Sequence, residues 1–162
     1  RQRMNESPNE SKRVSVNSLC PALSFNDQEI ERMFAILDEF GGFDPPTGEI
    51  SIALVSKSEI SRIHEVFMQK DSPTDVITFS GDPDDGTAGE ICVCPTIAQS
   101  YAKEHDKDFA EEITLYRTHG YWHLCGFEDI EDDDKIEMRN AEQVALKTLV
   151  EQRAMPNLSL RL

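Results

Sequence analysis

The segment THGYWHLCGFED, residues 118 to 129, constrains this chain most, because it places two histidines and an aspartate around the predicted end of a helix. His119 and His123 lie four residues apart in ITLYRTHGYWHL, whose apolar residues recur at helical intervals. Such residues project from one face of a helix, about 6 Å apart along its axis. Gly126 suits the left-handed residue that ends a helix and reverses the chain, which would bring Asp129 back towards the histidines.

The pattern HxxxHxxGxxD therefore predicts a metal site with three ligands, His119, His123 and Asp129, and an open position for water. It differs from the zinc motif HExxHxxGxxH at the second residue and at the last ligand. We expect one divalent ion per chain; zinc is favoured, and another divalent metal is the alternative. An aspartate just before a helix is also a common N-cap, and that alternative for Asp129 stays open.

A metal site of this kind predicts a hydrolase whose activity depends on His119. Zinc with an open position lowers the pKa of bound water to about 7 and polarises a phosphoryl or carbonyl oxygen. Zinc peptidases with this motif carry a glutamate after the first histidine as general base, whereas this chain has Gly120. Peptidase activity is therefore disfavoured, and Glu90 and Glu128 are the candidates for a general base.

Length and periodicity predict one domain of the α+β class. The 162 residues are 38% hydrophobic and 29% charged, as in ordinary globular proteins. Alternating and helical patterns predict four strands at 13–18, 49–55, 75–79 and 90–94 and about five helices at 26–40, 56–70, 95–105, 108–125 and 130–151. We expect a small mixed sheet with the helices packed on it. A flexible tail at 1–12 and a loose C-terminal tail at 156–162 would flank a metal-dependent hydrolase domain at 13–155.

Charge and hydropathy exclude some classes of partner. The chain has 31 acidic and 16 basic residues, a net charge of −15, which argues against general affinity for nucleic acid, DNA included. An RNA partner would have to be held by a local basic patch. No run approaches the roughly 20 apolar residues of a membrane-spanning helix, so we expect a cytoplasmic protein without a membrane role.

The cysteines and the two remaining histidines carry no metal-ligand pattern. We expect reduced and mostly buried thiols at all four cysteines, Cys20, Cys92, Cys94 and Cys125. His64 and His105 sit in polar helical surroundings and are interpreted as surface residues.

Three separated segments resemble the YbeY endoribonucleases, metal-dependent bacterial proteins implicated in ribosomal RNA maturation and ribosome quality control. HGYWHLCGFED (119–129) resembles the family pattern HGxxHLxGYDH, KDSPTDVITFS (70–80) resembles KDxPTDVLSFPF, and AGEICV (88–93) resembles LGDIxI. The likeness covers roughly residues 13 to 150. It implies an α+β fold, a zinc ion, hydrolysis of RNA phosphodiesters, and ribosomal RNA with a ribosomal subunit as partners.

Two positions depart from the family pattern. Asp129 replaces the third metal histidine, and Met68 stands where the family usually has an arginine, which would hold a phosphate bidentately. Lys70 and Arg117 are the nearest basic candidates for substrate binding, although solvated surface charges are an equal alternative. Met68 and the acidic charge favour a second function, a ribosome-maturation binding factor with a structural metal and weak or no nuclease activity. The spacing of the predicted metal ligands favours the enzyme.

Overall fold

The computed structural model describes residues 13–40, 45–68, 76–127 and 131–160. Its strands are β1 Val14–Ser18, β2 Leu23–Ser24, β3 Glu49–Leu54, β4 Val76–Ser80, β5 Thr87–Val93 and β6 Ser159–Leu160. Its α-helices are α1 Asp27–Asp38, α2 Lys57–Ile63, α3 Pro95–Glu104, α4 Phe109–Leu124 and α5 Asp132–Glu151. A π-helical turn, His64–Met68, continues α2. The predicted α+β class is confirmed.

The main sheet has the strand order β1-β3-β5-β4. β3 pairs in parallel with β1 and β5, whereas β4 and β5 are antiparallel neighbours. Residues of β3 alternate between half-buried and buried positions, as the sequence alternation of EISIAL requires. The sheet is therefore mixed, as predicted, and β5 lies in its interior.

The two faces of the main sheet carry separate cores. Ile52 and Ile91 face the larger core, which includes buried residues of α1, α3, α4 and α5. Ile77 and Cys92 face the smaller core, together with Ile60 of α2. Neighbouring residues of a strand point to opposite faces, so the sheet separates α2 from α4.

Short polar side chains begin the first, second and fourth α-helices. Asn26 accepts a hydrogen bond from the Gln28 amide at 2.8 Å, Ser56 from the Glu59 amide and Asp108 from the Glu111 amide, both at 3.1 Å. These caps satisfy amides that lack partners within the helix.

The C-terminal stretch is packed against α1, which differs from the expected loose tail. Leu158 is buried, and β6 forms a two-stranded antiparallel sheet with β2. The Glu29 carboxylate accepts from the Asn157 amide at 3.2 Å, and Arg32 donates to two carbonyl groups at the end of α5. These polar contacts hold residues 152–157 against α1, next to the short strand β6. The predicted N-terminal tail, residues 1–12, lies outside the described residues.

The four cysteines are free, as expected, and Cys92 and Cys94 are buried. His105 is exposed and stacks on Tyr101, whereas His64 is buried, so its interpretation as a surface residue is wrong. No helix among the described residues is both long enough and apolar enough to cross a membrane.

Candidate metal centre

The two motif histidines lie near the C-terminal end of α4, where His119 faces α5. Gly120 faces the sheet, and a Cβ atom placed there would lie 2.6 Å from Cγ2 of Ile91. The absence of a side chain therefore lets α4 lie directly on β5. His119 and His123, one turn apart, are both partly exposed on a flank of the same helix.

The histidine rings converge through their Nε2 atoms. These two atoms lie 3.0 Å apart, with the ring planes nearly perpendicular at 81°. An ideal tetrahedral zinc site, with Zn–N distances of 2.0–2.1 Å, separates two ligand nitrogens by about 3.3 Å. The pair of imidazoles would therefore need only a small movement to share one ion.

The Nδ1 atoms of both rings are held by oxygen acceptors. His119 Nδ1 donates to Oε2 of Glu142 on α5, and His123 Nδ1 donates to the carbonyl oxygen of Phe127 at 3.0 Å. A neutral imidazole that donates through Nδ1 carries its lone pair on Nε2. Both lone pairs consequently point into the same small space, where they repel each other unless a cation lies between them. This arrangement of outer hydrogen bonds is typical of metal-binding histidines.

The acceptor for His123 is positioned by the way α4 ends. Gly126 has φ +102°, and its amide donates to the His123 carbonyl at 3.0 Å. The Phe127 amide donates to the Trp122 carbonyl, also at 3.0 Å. These two bonds form a Schellman motif, which reverses the chain and brings the Phe127 carbonyl back to the imidazole. Gly126 thus has the left-handed conformation that its place in the sequence predicts.

The opposite side of α4 is held by a polar network. The Tyr121 hydroxyl donates to Oδ1 of Asp38 at 2.5 Å, and Arg13 binds both carboxylate oxygens of Asp38, at 2.8 and 3.1 Å. Burial and the bond to Asp38 raise the pKa of the Tyr121 phenol. The network ties α4 to β1 and the end of α1, so the histidines are presented by a fixed helix.

A cavity of about 250 Å³ opens beside His119. Four residues of α5 line it, Lys135, Met138, Arg139 and Glu142. The His119 side chain is 24% exposed, so a molecule in this cavity can approach its ring. An open approach of this kind is typical of catalytic metal sites, whereas structural sites are closed.

The structure does not show the complete predicted ligand set. Asp129, the predicted third ligand, and Glu128, a base candidate, lie outside the described residues. Among the residues that are described, no group of three or more His, Cys, Asp or Glu side chains is placed to hold a metal. The pair of histidines is the part of the predicted site that the structure brings together.

Glu90, the other base candidate, is not brought to the histidines. Its neighbour Ile91 contacts Gly120 of α4, so Glu90 points to the opposite face of the sheet. There its carboxylate accepts a hydrogen bond from the Cys92 thiol at 3.4 Å. The sheet therefore separates Glu90 from His119, and Glu90 is unsuited to act as the general base.

Arg117 is completely buried, which neither of its two interpretations anticipates. Its Nη2 donates to the Thr114 hydroxyl at 3.3 Å, while Nε and Nη1 have no hydrogen-bond partner among the described residues. Burial lowers the pKa of the guanidinium to about 10. Arg117 is consequently neither a solvated charge nor accessible to a phosphate. Lys70 lies outside the described residues, and so does the side chain of Met68.

Sequence reasoning missed Glu142. This buried residue belongs to the inward stripe of α5, together with Met138, Ala145 and Leu149. A carboxylate at an apolar position of such a stripe requires a polar partner, because burial of an unpaired charge is costly. That requirement is a signal in the sequence, although it does not identify His119 as the partner.

The chain is similar to proteins of one known family. The family model described as Endoribonuclease YbeY matches residues 17–150. A protein of that name from Protochlamydia amoebophila is 41% identical over 98 residues, which are 58% of this chain and 65% of that protein, just under two thirds. Another from Finegoldia magna is 38% identical over 105 residues, 62% of this chain and 69% of that protein. A solution structure of a Thermotoga maritima protein matches with a TM-score of 0.56 and 28% identity, over 86% of this chain and 93% of that one.

Proposed function

Because the chain belongs to the endoribonuclease YbeY family, we propose that it is a metal-dependent endoribonuclease that hydrolyses phosphodiester bonds of ribosomal RNA during its maturation. The observation that carries the proposal is the convergence of His119 Nε2 and His123 Nε2, 3.0 Å apart, with both Nδ1 atoms donating to oxygen. In this proposal His119, His123 and Asp129 hold one zinc ion.

Residues of the chain orient the two imidazole rings. Glu142 and the Phe127 carbonyl hold the two rings with Nε2 directed at the ion. A bound zinc ion would supply a nucleophilic water near neutral pH and would polarise a phosphoryl oxygen. The Glu142 carboxylate is directed at Nδ1, so it acts as a positioning residue for His119 and not as a ligand.

Hydrolysis of RNA fits the site better than hydrolysis of peptides. A peptidase glutamate after the first histidine would occupy position 120, which faces the sheet and has no space for a Cβ atom. The general base of such a peptidase therefore has no place in this fold.

The enzyme is favoured over a binding factor with a structural metal. The partly exposed His119 and the adjoining cavity leave one side of the site open to a substrate. In the proposed setting the enzyme acts in the cytoplasm on ribosomal RNA and on the ribosomal subunit that contains it, with a role in ribosome quality control.

Turnover of a single-stranded RNA separates the two functions. The native protein should cleave the RNA repeatedly, lose the activity in a chelator and regain it when zinc is added back. His119→Ala should be inactive under all three conditions. A folded, metal-loaded protein that binds RNA without turnover would favour the binding factor and contradict the proposed nuclease.

A further inference from the structure

The cavity beside His119 has two basic side chains on one wall. Lys135 and Arg139 are four residues apart on α5, so both project from the face of the helix that meets the cavity. Both residues are exposed. His119 and Glu142 line the same cavity, so the two cations lie next to the candidate metal centre.

Neither cation has an ion-pair partner among the described residues. Ion pairs within the described residues involve Arg13, Arg62 and His119, and none involves Lys135 or Arg139. Acidic residues precede Lys135 along the first turn of α5, yet no ion pair forms with them in this part of the chain. Two like charges one turn apart repel each other slightly, and an anion placed between them would relieve that repulsion.

Two neighbouring positive charges stand out on a chain that is strongly acidic. The net charge is −15, so most of the molecular surface repels a polyanion. A polyanionic substrate must therefore be held where basic side chains are concentrated. Arg117, which is close in sequence to the histidines, cannot contribute because it is fully buried.

We propose that Lys135 and Arg139 form a phosphate-binding site that holds the RNA backbone beside the candidate metal centre. The assignment of RNA as the ligand rests on the proposed function. Arg139 offers a planar fork of donors that matches two phosphate oxygens, while Lys135 supplies a point charge. At Met68 the chain lacks the arginine that the family pattern would use to hold a phosphate. Lys135 and Arg139 would supply that phosphate contact from α5 instead.

The direct test is the salt dependence of RNA binding, measured by fluorescence anisotropy with a short fluorescein-labelled single-stranded RNA. Each lost phosphate contact should lower the slope of log affinity against log salt by about 0.7, so Lys135→Ala/Arg139→Ala should lower it by about 1.4. Affinity at low salt should fall roughly tenfold. Arg139→Lys should keep most of the slope, because the charge remains, but bind more weakly.

Lys147→Ala is the matched control. It removes one positive charge from an exposed position of the same helix, about 12 Å along the axis from Arg139. Its slope and affinity should stay close to those of the native protein. An unchanged slope in the double variant, an equal loss in Lys147→Ala, or absence of RNA binding by the native protein would each overturn the inference.

Cleavage kinetics and metal content distinguish this inference from the proposed function. The double variant should retain its metal and raise KM far more than it lowers kcat, because the contact precedes the reaction. If the native protein binds RNA with the predicted slope but never cleaves it, the nuclease proposal fails while the phosphate-binding site stands. If the double variant cleaves with native KM, the phosphate-binding site fails while the nuclease stands.

Discussion

His119 on α4 and Glu142 on α5 are joined by a hydrogen bond from Nδ1 to Oε2, although 23 residues separate them in the chain. Glu142 is buried, so its carboxylate requires a polar partner, and His119 provides it. The contact fixes both the tautomer and the orientation of the His119 ring. The packing of two helices therefore sets the direction of the Nε2 lone pair that the candidate metal centre uses.

Removal of the Glu142 carboxylate should weaken metal binding. Loss of an outer hydrogen bond to a ligand histidine typically costs about 10- to 100-fold in metal affinity. We expect this loss in Glu142→Gln and a larger one in Glu142→Ala, measured by competition with a chromophoric zinc chelator. Glu137→Gln, at an exposed position of the same helix, should have native affinity. Equal affinities for Glu142→Ala and the native protein would show that the hydrogen bond does not prepare His119 for metal.

Gly120→Ala should destabilise the fold, because its Cβ would lie 2.6 Å from Ile91 Cγ2 and 3.2 Å from Thr78 Oγ1. Overpacking of this kind costs roughly 1 to 3 kcal/mol, which outweighs the gain in helix propensity of at most about 1 kcal/mol. Urea denaturation of the metal-free protein measures the change. In an Ile91→Ala background most of the cost should disappear, since the closest atom, Ile91 Cγ2, is gone and only the contact with Thr78 Oγ1 at 3.2 Å remains. The same cost in both backgrounds would mean that α4 does not approach β5 as closely as described.

Arg117→Met should stabilise the fold. The guanidinium is buried, and two of its nitrogens lack hydrogen-bond partners in the part of the chain that the structure describes; each unsatisfied buried donor costs roughly 1 to 3 kcal/mol. Methionine fills similar space without a charge, so the free energy of unfolding at neutral pH should rise by a comparable amount. The salt slope of RNA binding should not change. A loss of RNA affinity in this variant, with the fold intact, would contradict the buried position of Arg117.

The stability of the protein should fall above pH 9 because of Cys92. Burial, with the nearby Glu90 carboxylate, raises the pKa of this thiol from 9.0 to about 12. Between these values the unfolded chain releases a proton that the folded chain keeps, so stability present below pH 9 is lost as pH rises towards 12. One such thiol contributes about 1.4 kcal/mol of this loss by pH 10.

Comparison with Cys92→Ala isolates this contribution. Urea denaturation at pH 7 and pH 10 should show a smaller loss of stability for the variant than for the native protein, by about 1.4 kcal/mol. An identical pH dependence of the two proteins would place the Cys92 thiol in contact with solvent.

Local patterns were sufficient to predict the main architecture. The four strands of the main sheet and the five helices follow from alternation, helical periodicity and capping residues such as Asn26 and Ser56. The pairing of β2 with β6 was missed, because each strand has only two residues and the two are distant in the chain, although Leu158, Leu160 and Leu162 do alternate with polar residues. The sequence from Asn26 to Glu29 matches a capping box, of which the structure shows one half. Asn26 caps the helix, but the Glu29 side chain bonds to the Asn157 amide, a tertiary contact.

The candidate site was predictable only where it depends on one helix. His119, His123 and Gly126 share a local pattern, and the structure brings the two rings together. Glu142 required knowledge of how α4 packs on α5. Arg117 lies four residues after the buried Ile113, so periodicity places it on the inward face, although its charge argued for the surface.

The metal content of the protein, purified without added metal and measured by elemental analysis, tests the central claim most directly. The native chain should carry one equivalent of zinc, His119→Ala and His123→Ala should carry almost none, and Glu137→Gln should match the native protein. Circular dichroism should show that both histidine variants remain folded. A folded native protein without any divalent metal, or full metal retention after loss of either imidazole, would contradict the proposed metal centre at His119 and His123.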